Sequence, residues 1–93
     1  MMNKMNTIVM YHIFYHDWCM FSQNALSLAK SMKIKHTKMN IDKFRSKENL
    51  IDLLKREGLM RKNSRHKTAP IIFKDDNFVG GYTEFKKMLE KNK

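Results

Sequence analysis

The sequence predicts an α/β domain of order β-α-β-α-β-β-α, a mixed four-stranded sheet flanked by helices. Three observations carry that expectation. A nearly unbroken apolar run over residues 8–15 stands directly before apolar positions at helical spacing. Two further strand-like stretches follow, with an amphipathic helical stretch between them. The second of these is half of a short hairpin, after which Gly80-Gly81 introduces a final amphipathic segment.

Taken in order, Ile8, Val9, Met10, Tyr11, Ile13, Phe14 and Tyr15 read as a strand covered on both faces, and so as the central one. Phe21, Ala25, Leu28, Ala29 and Met32 then recur at the spacing of a helix that runs to about residue 33, with Ser22, Gln23, Asn24, Ser27 and Lys30 on its polar side. Thr37, Met39 and Ile41 alternate with His36, Lys38 and Asn40, the pattern of a strand with one wet face near a sheet edge. Ser46 suits an N-cap and Glu48 the first turn of a second helix, whose stripe of Leu50, Ile51, Leu53 and Leu54 stops at Gly58. Residues 60–67 read as a basic connection leading into Thr68-Ala69-Pro70. Ile71, Ile72 and Phe73 form a buried strand, Asp75-Asp76-Asn77 a turn and Phe78-Val79 its return. Thr83 can cap the last helix, which buries Phe85, Met88 and Leu89. Strands separated by helices imply parallel pairing, and the hairpin adds one antiparallel strand.

A chain of 93 residues with one run of elements is expected to be a single domain over 1–93, with 1–6 and 91–93 as frayed ends. One cysteine excludes an intramolecular disulfide and points to a reducing compartment, the cytoplasm. No stretch nears the roughly 20 apolar residues of a membrane span, so a soluble protein without a membrane partner is expected. Nineteen Lys and Arg against nine Asp and Glu give a formal charge of +10, which attracts anionic partners. Without a recognition motif beside that charge, a solvated basic surface is preferred to a nucleic-acid face.

The lone cysteine falls where the chemistry would be. Cys19 lies between the first strand and the first helix, where a helix N-terminus and, if protonated, His16 favour a thiolate, the form that acts as a nucleophile. An inert buried thiol is the plainer alternative, disfavoured because His16 and Asp17 lie close by in a polar stretch. Ser22, three residues on, can donate a hydrogen bond to a sulfur anion but cannot close a disulfide, so a second thiol has to come from elsewhere. His12, His16, His36 and His66 lack zinc-ligand spacing.

Three motifs in this order resemble the glutaredoxin family of the thioredoxin fold, over about Thr7 to Leu89: Trp18-Cys19-Met20-Phe21-Ser22, similar to the family's Cys-x-x-Ser sites; Thr68-Ala69-Pro70, similar to its Thr-Val-Pro with a cis proline; and Gly80-Gly81-Tyr82-Thr83-Glu84, similar to its Gly-Gly-Tyr turn. The resemblance implies a monothiol enzyme whose missing thiol is glutathione, with Cys19 as nucleophile and His16 and Ser22 beside it. It implies a glutathione site of Phe21, Lys67, Thr68, Ala69, Pro70, Gly81, Tyr82 and Thr83, in which the Ala69 backbone pairs with the tripeptide, the Tyr82 and Thr83 amides hold its γ-glutamyl carboxylate and Lys67, with His66 and Arg65 beside it, meets the other carboxylate. The partners implied are glutathione and glutathionylated or disulfide-containing proteins. His16 stands where many members carry lysine, Met20 replaces proline or glycine, and Ala69 replaces valine. Two other readings stay open: a dimer in which two Cys19 thiolates and two glutathiones hold a [2Fe–2S] cluster, the protein otherwise being a monomer, and a redox-silent module that uses its basic surface.

Overall fold

The computed structural model describes residues 9–91. Residues 1–8, which include the expected frayed end 1–6, and residues 92–93 of the expected frayed end 91–93 lie outside the described residues, whereas Lys91 closes the last helix. The elements are β1 (Tyr11–Tyr15), α1 (Met20–Ser31), β2 (His36–Asn40), a 3-10 turn (Ile41–Phe44), α2 (Lys47–Arg56), β3 (Ile71–Lys74), β4 (Asn77–Gly80) and α3 (Tyr82–Lys91). The sheet runs β2-β1-β3-β4, so β1 is interior and β2 is an edge. This is the mixed four-stranded α/β architecture that the order of apolar patterns predicts.

Strand directions depart from the expectation in one place. β1 and β2 are parallel, but β3 lies antiparallel to β1 although α2 precedes it, and β4 is antiparallel to β3. A single helical crossover returns the chain to the same end of the sheet. Here the irregular stretch 57–70 follows α2 and takes the chain along the sheet once more, so β3 enters from the opposite end.

β1 begins at Tyr11, later than the apolar run suggests, because the Met10 backbone pairs instead with the hairpin turn, its N–H donating to Asp75 Oδ1 at 3.0 Å and its C=O accepting from the Asp75 N–H at 2.7 Å. Ile41 is fully buried but belongs to the 3-10 turn, while Met39 in β2 is exposed. α2 starts as expected, with the Ser46 hydroxyl accepting from the Asn49 N–H at 3.0 Å.

Two apolar layers cover the sheet. On one face Tyr11, Ile13 and Ile72 pack with Ala25 and Ala29 of α1 and with Phe85 and Leu89 of α3. On the other, Ile71 and Phe73 pack with Ile41, with Leu50, Ile51 and Leu54 of α2, and with Met60. Met60 falls in the stretch read as a polar connection, and its burial ties that loop to the core. The first layer fixes α1 against α3, and the start of each of these helices contributes to the site.

Candidate active site

After β1 the chain turns once, Cys19 N–H donating to His16 O at 3.3 Å, and α1 begins at Met20 with Cys19 at its N-cap. The Cys19 carbonyl accepts from the Gln23 N–H at 3.1 Å, and the Gln23 amide holds the turn from outside by donating to Asp17 O at 3.2 Å. With its backbone fixed this way, the half-buried thiol lies 3.6 Å from the carbonyl oxygen of Ala69. Trp18, Met20 and Phe21 around it are strongly exposed, which gives the thiol an apolar rim.

Two expected neighbours turn elsewhere. Ser22 is not on the polar side of α1: it is fully buried, and its hydroxyl accepts from the His16 N–H at 3.1 Å. The buried stripe of α1 is Ser22, Ala25 and Ala29, small residues that let the helix approach the sheet, while Phe21 is rotated outward. His16 is buried as well. Its ring stacks on Trp18 with centroids 4.5 Å apart, and its Nδ1 lies 3.4 Å from Asp42 Oδ1, close enough for attraction when the ring is charged but outside hydrogen-bond geometry. The contacts of both side chains thus brace the turn that carries Cys19.

A groove of about 290 Å³ is lined by Phe21, His66, Thr68, Ala69, Gly81, Tyr82, Thr83 and Glu84. It therefore gathers six of the residues expected to contact glutathione, and Ala69 joins it to Cys19. Phe21 and Tyr82 face each other across it, with ring centroids 6.4 Å apart. A larger hollow of about 630 Å³, between the 58–64 loop and the hairpin turn, contains none of these residues. The Ala69–Pro70 peptide is cis, and Pro70 lies buried behind the groove. Lys67 is exposed and does not line the groove; the basic side chain on the wall is His66, whose Nε2 lies 3.2 Å from Pro70 O.

The other wall is the start of α3. The helix begins at Tyr82, one residue before the cap expected at Thr83, because Glu84 closes the turn itself: its Oε1 accepts from the Gly81 N–H at 2.8 Å, half of a capping box. Gly80 makes room for that carboxylate. Its φ is +130°, and an added Cβ would come within 2.9 Å of Glu84 Cγ and Oε1.

The Gly81 N–H holds the Glu84 carboxyl below its ordinary range; burial opposes this, while its own amide, His66 and Lys87 assist. A carboxyl lowered by folding contributes stability that is whole above the ordinary glutamate pKa, about 4.3, and is lost as pH falls through the lowered value. We expect Glu84→Gln to be less stable than wild type near neutral pH and the gap to close below about pH 4, read by urea unfolding across pH. A gap that is constant with pH would remove the carboxylate from this role.

Among the described residues no group of three or more His, Cys, Asp or Glu side chains could hold a metal ion. An iron–sulfur cluster takes four ligands, of which this chain's cysteine content supplies one. No helix among the described residues is long and apolar enough to cross a membrane.

The chain is similar in structure to solved glutaredoxins. Glutaredoxin 1 from Francisella tularensis, solved with cacodylate, matches with a TM-score of 0.76 at 25% identity, over 91% of this chain and 99% of that one. Glutaredoxin from E. coli matches with a TM-score of 0.63 at 25% identity, over 89% and 95%. A buckwheat glutaredoxin in complex with glutathione shares the fold at 15% identity, with a TM-score of 0.63 over 88% and 69%. No curated protein matches the chain in sequence. The family model described as SH3-binding, glutamic acid-rich protein matches residues 20–93, from the residue after Cys19. On a glutaredoxin-like thioredoxin fold, the chain belongs to the SH3-binding, glutamic acid-rich protein family.

Proposed function

We propose that the protein is a glutathione-dependent thiol–disulfide oxidoreductase that reduces glutathione mixed disulfides through Cys19 alone. The observation that carries this reading is the half-exposed Cys19 thiol 3.6 Å from Ala69 O, at the edge of a groove of about 290 Å³.

The Cys19 thiolate attacks the glutathione sulfur of a mixed disulfide. A Cys19–glutathione disulfide forms, the original S–S bond breaks, and the target's sulfur leaves as a thiolate that takes up a proton. A second glutathione thiolate then attacks the glutathione sulfur on Cys19, releasing oxidised glutathione and regenerating the Cys19 thiolate. The target is reduced and two glutathiones become one disulfide, with no second protein sulfur. Ala69 offers its backbone to the tripeptide, Phe21 and Tyr82 flank it, and the Tyr82 and Thr83 amides at the start of α3 take a carboxylate. Ser22 and His16 hold the turn beneath Cys19. Pro70 shapes the bend, Thr68 and Gly81 line the groove, and Lys67, exposed beside Thr68, meets the tripeptide's other carboxylate. We place this single domain in the cytoplasm, with glutathionylated proteins as its partners.

SH3 domains dock proline-rich segments, whereas the one proline of these 93 residues, Pro70, is buried behind the groove. Nor is this sequence rich in acid, with nine Asp and Glu against nineteen Lys and Arg.

The test is a glutathione-coupled assay on a mixed disulfide of glutathione with a small thiol, paired with mass spectrometry of the protein stopped during turnover. A rate above the uncatalysed exchange and one glutathione on Cys19 are expected. Neither signal at saturating glutathione would end the proposal.

A further inference from the structure

His66 has three fixed sides. Its Nε2 lies 3.2 Å from Pro70 O, its ring stands edge-on to Phe78 with centroids 5.3 Å apart, and its Cε1 lies so close to Gly81 that an added Cβ there would be 3.2 Å away. A carbonyl only accepts, so Nε2 carries the hydrogen and Nδ1 is the ring's remaining polar atom. Neutral, that atom accepts. Only the protonated ring donates at both nitrogens.

The chain's own Glu84 carboxylate borders the same turn as the ring. Glu84 Oε1 lies 3.6 Å from the same point above Gly81, so His66 and Glu84 both border the start of α3, and His66 shares the groove with Tyr82 and Thr83. The charged and titratable groups around it are Glu84 from α3, with Lys87 acting on the same carboxylate, the Tyr82 hydroxyl, Cys19 across the Ala69 bend, and the exposed Arg65 and Lys67 on its own segment.

We propose that His66 is the groove's carboxylate-reading cation: a ligand carboxylate seated on the Tyr82 and Thr83 amides draws a proton onto Nδ1, so glutathione binds with proton uptake at His66. The inference rests on the function proposed above and names what sets its ligand preference. The bound species is the imidazolium–carboxylate pair, with the proton drawn from the buffer. Histidine is suited to this because its charge can change near neutral pH. The pair would favour the γ-glutamyl tripeptide over the same thiol lacking that carboxylate.

The test is calorimetry at pH 7 with S-methylglutathione, which binds without exchange chemistry, in buffers of differing ionisation enthalpy. Wild type is expected to take up a fraction of a proton per ligand, and N-acetyl-S-methylcysteinylglycine, which lacks the γ-glutamyl group and has no free amine to titrate, none. His66→Gln keeps an N–H for Pro70 O and is expected to lose the uptake and bind roughly three- to tenfold more weakly. Uptake that persists in His66→Gln, or binding by wild type without uptake, would overturn the role of His66 and leave the oxidoreductase reading standing. No binding of S-methylglutathione at all would overturn both. Should His66→Gln fail to fold, the wild-type comparison of the two ligands decides: equal uptake with and without the γ-glutamyl group counts against the proposal.

Discussion

Cys19→Ser is expected to lower kcat/KM for a glutathione mixed disulfide by about three orders of magnitude or more, some 4 kcal/mol of transition-state stabilisation. The size follows from the composition: with one sulfur in the cysteine pool, no neighbouring thiol can take over the exchange. A serine hydroxyl fits the same N-cap position and can donate to Ala69 O, but its oxygen is not ionised at neutral pH and forms no disulfide. The fold should be indifferent to the change. The thiol is half-buried and its polar contact is a weak sulfur hydrogen bond, so a melting temperature within about 3 °C of wild type is expected, as for a surface substitution of about 0.5 kcal/mol or less. Activity lost at unchanged stability would locate the chemistry at the sulfur. A variant keeping a tenth of the wild-type rate would move the chemistry away from Cys19.

The backbone of this picture is legible in the sequence because local signals there agree with the fold. Apolar runs mark β1 and β3, Ser46 caps α2, and Cys19 falls at the strand-to-helix junction. What escapes the sequence is decided by contacts between distant residues. The direction of β3 depends on how the 57–70 stretch crosses the sheet, and that stretch carries no periodicity to read. Ser22 looks solvent-facing by composition, yet a hydroxyl can be buried where it satisfies a backbone N–H, and the His16 amide supplies one. On the groove wall, spacing alone does not separate Lys67 from its neighbour His66; only packing shows that the His66 ring sits among Pro70 O, Phe78 and Gly81 while Lys67 is exposed. The Glu84 cap had a readable signal: a glutamate three residues after Gly81 is the spacing of a capping box, with glycine in place of serine or threonine.

Phe85→Ala is the second substitution of large expected effect, and it acts on stability first and on the groove through it. Phe85 is fully buried and meets Tyr11 edge to face, with ring centroids 5.4 Å apart. Removing a buried phenyl ring costs about 3–5 kcal/mol, a large share of the roughly 5–15 kcal/mol that holds a small domain folded. The upper part of that range is expected, because Ala25 and Ala29 of α1 lie in the same cluster and have no side-chain length with which to fill the cavity. The urea midpoint should fall by roughly 3–5 M at a slope near 1–1.5 kcal/mol per M. Phe85 also joins α3, which carries Tyr82 and Thr83, to the layer that seats α1 and with it Cys19. If the groove depends on that junction, the folded fraction of Phe85→Ala should show a raised KM for glutathione at low temperature, whereas the exposed Lys86→Ala on the same helix leaves both KM and midpoint unchanged. A Phe85→Ala protein with a midpoint within about 0.5 M of wild type would show that the α1–α3 layer does not hold the two walls of the site together.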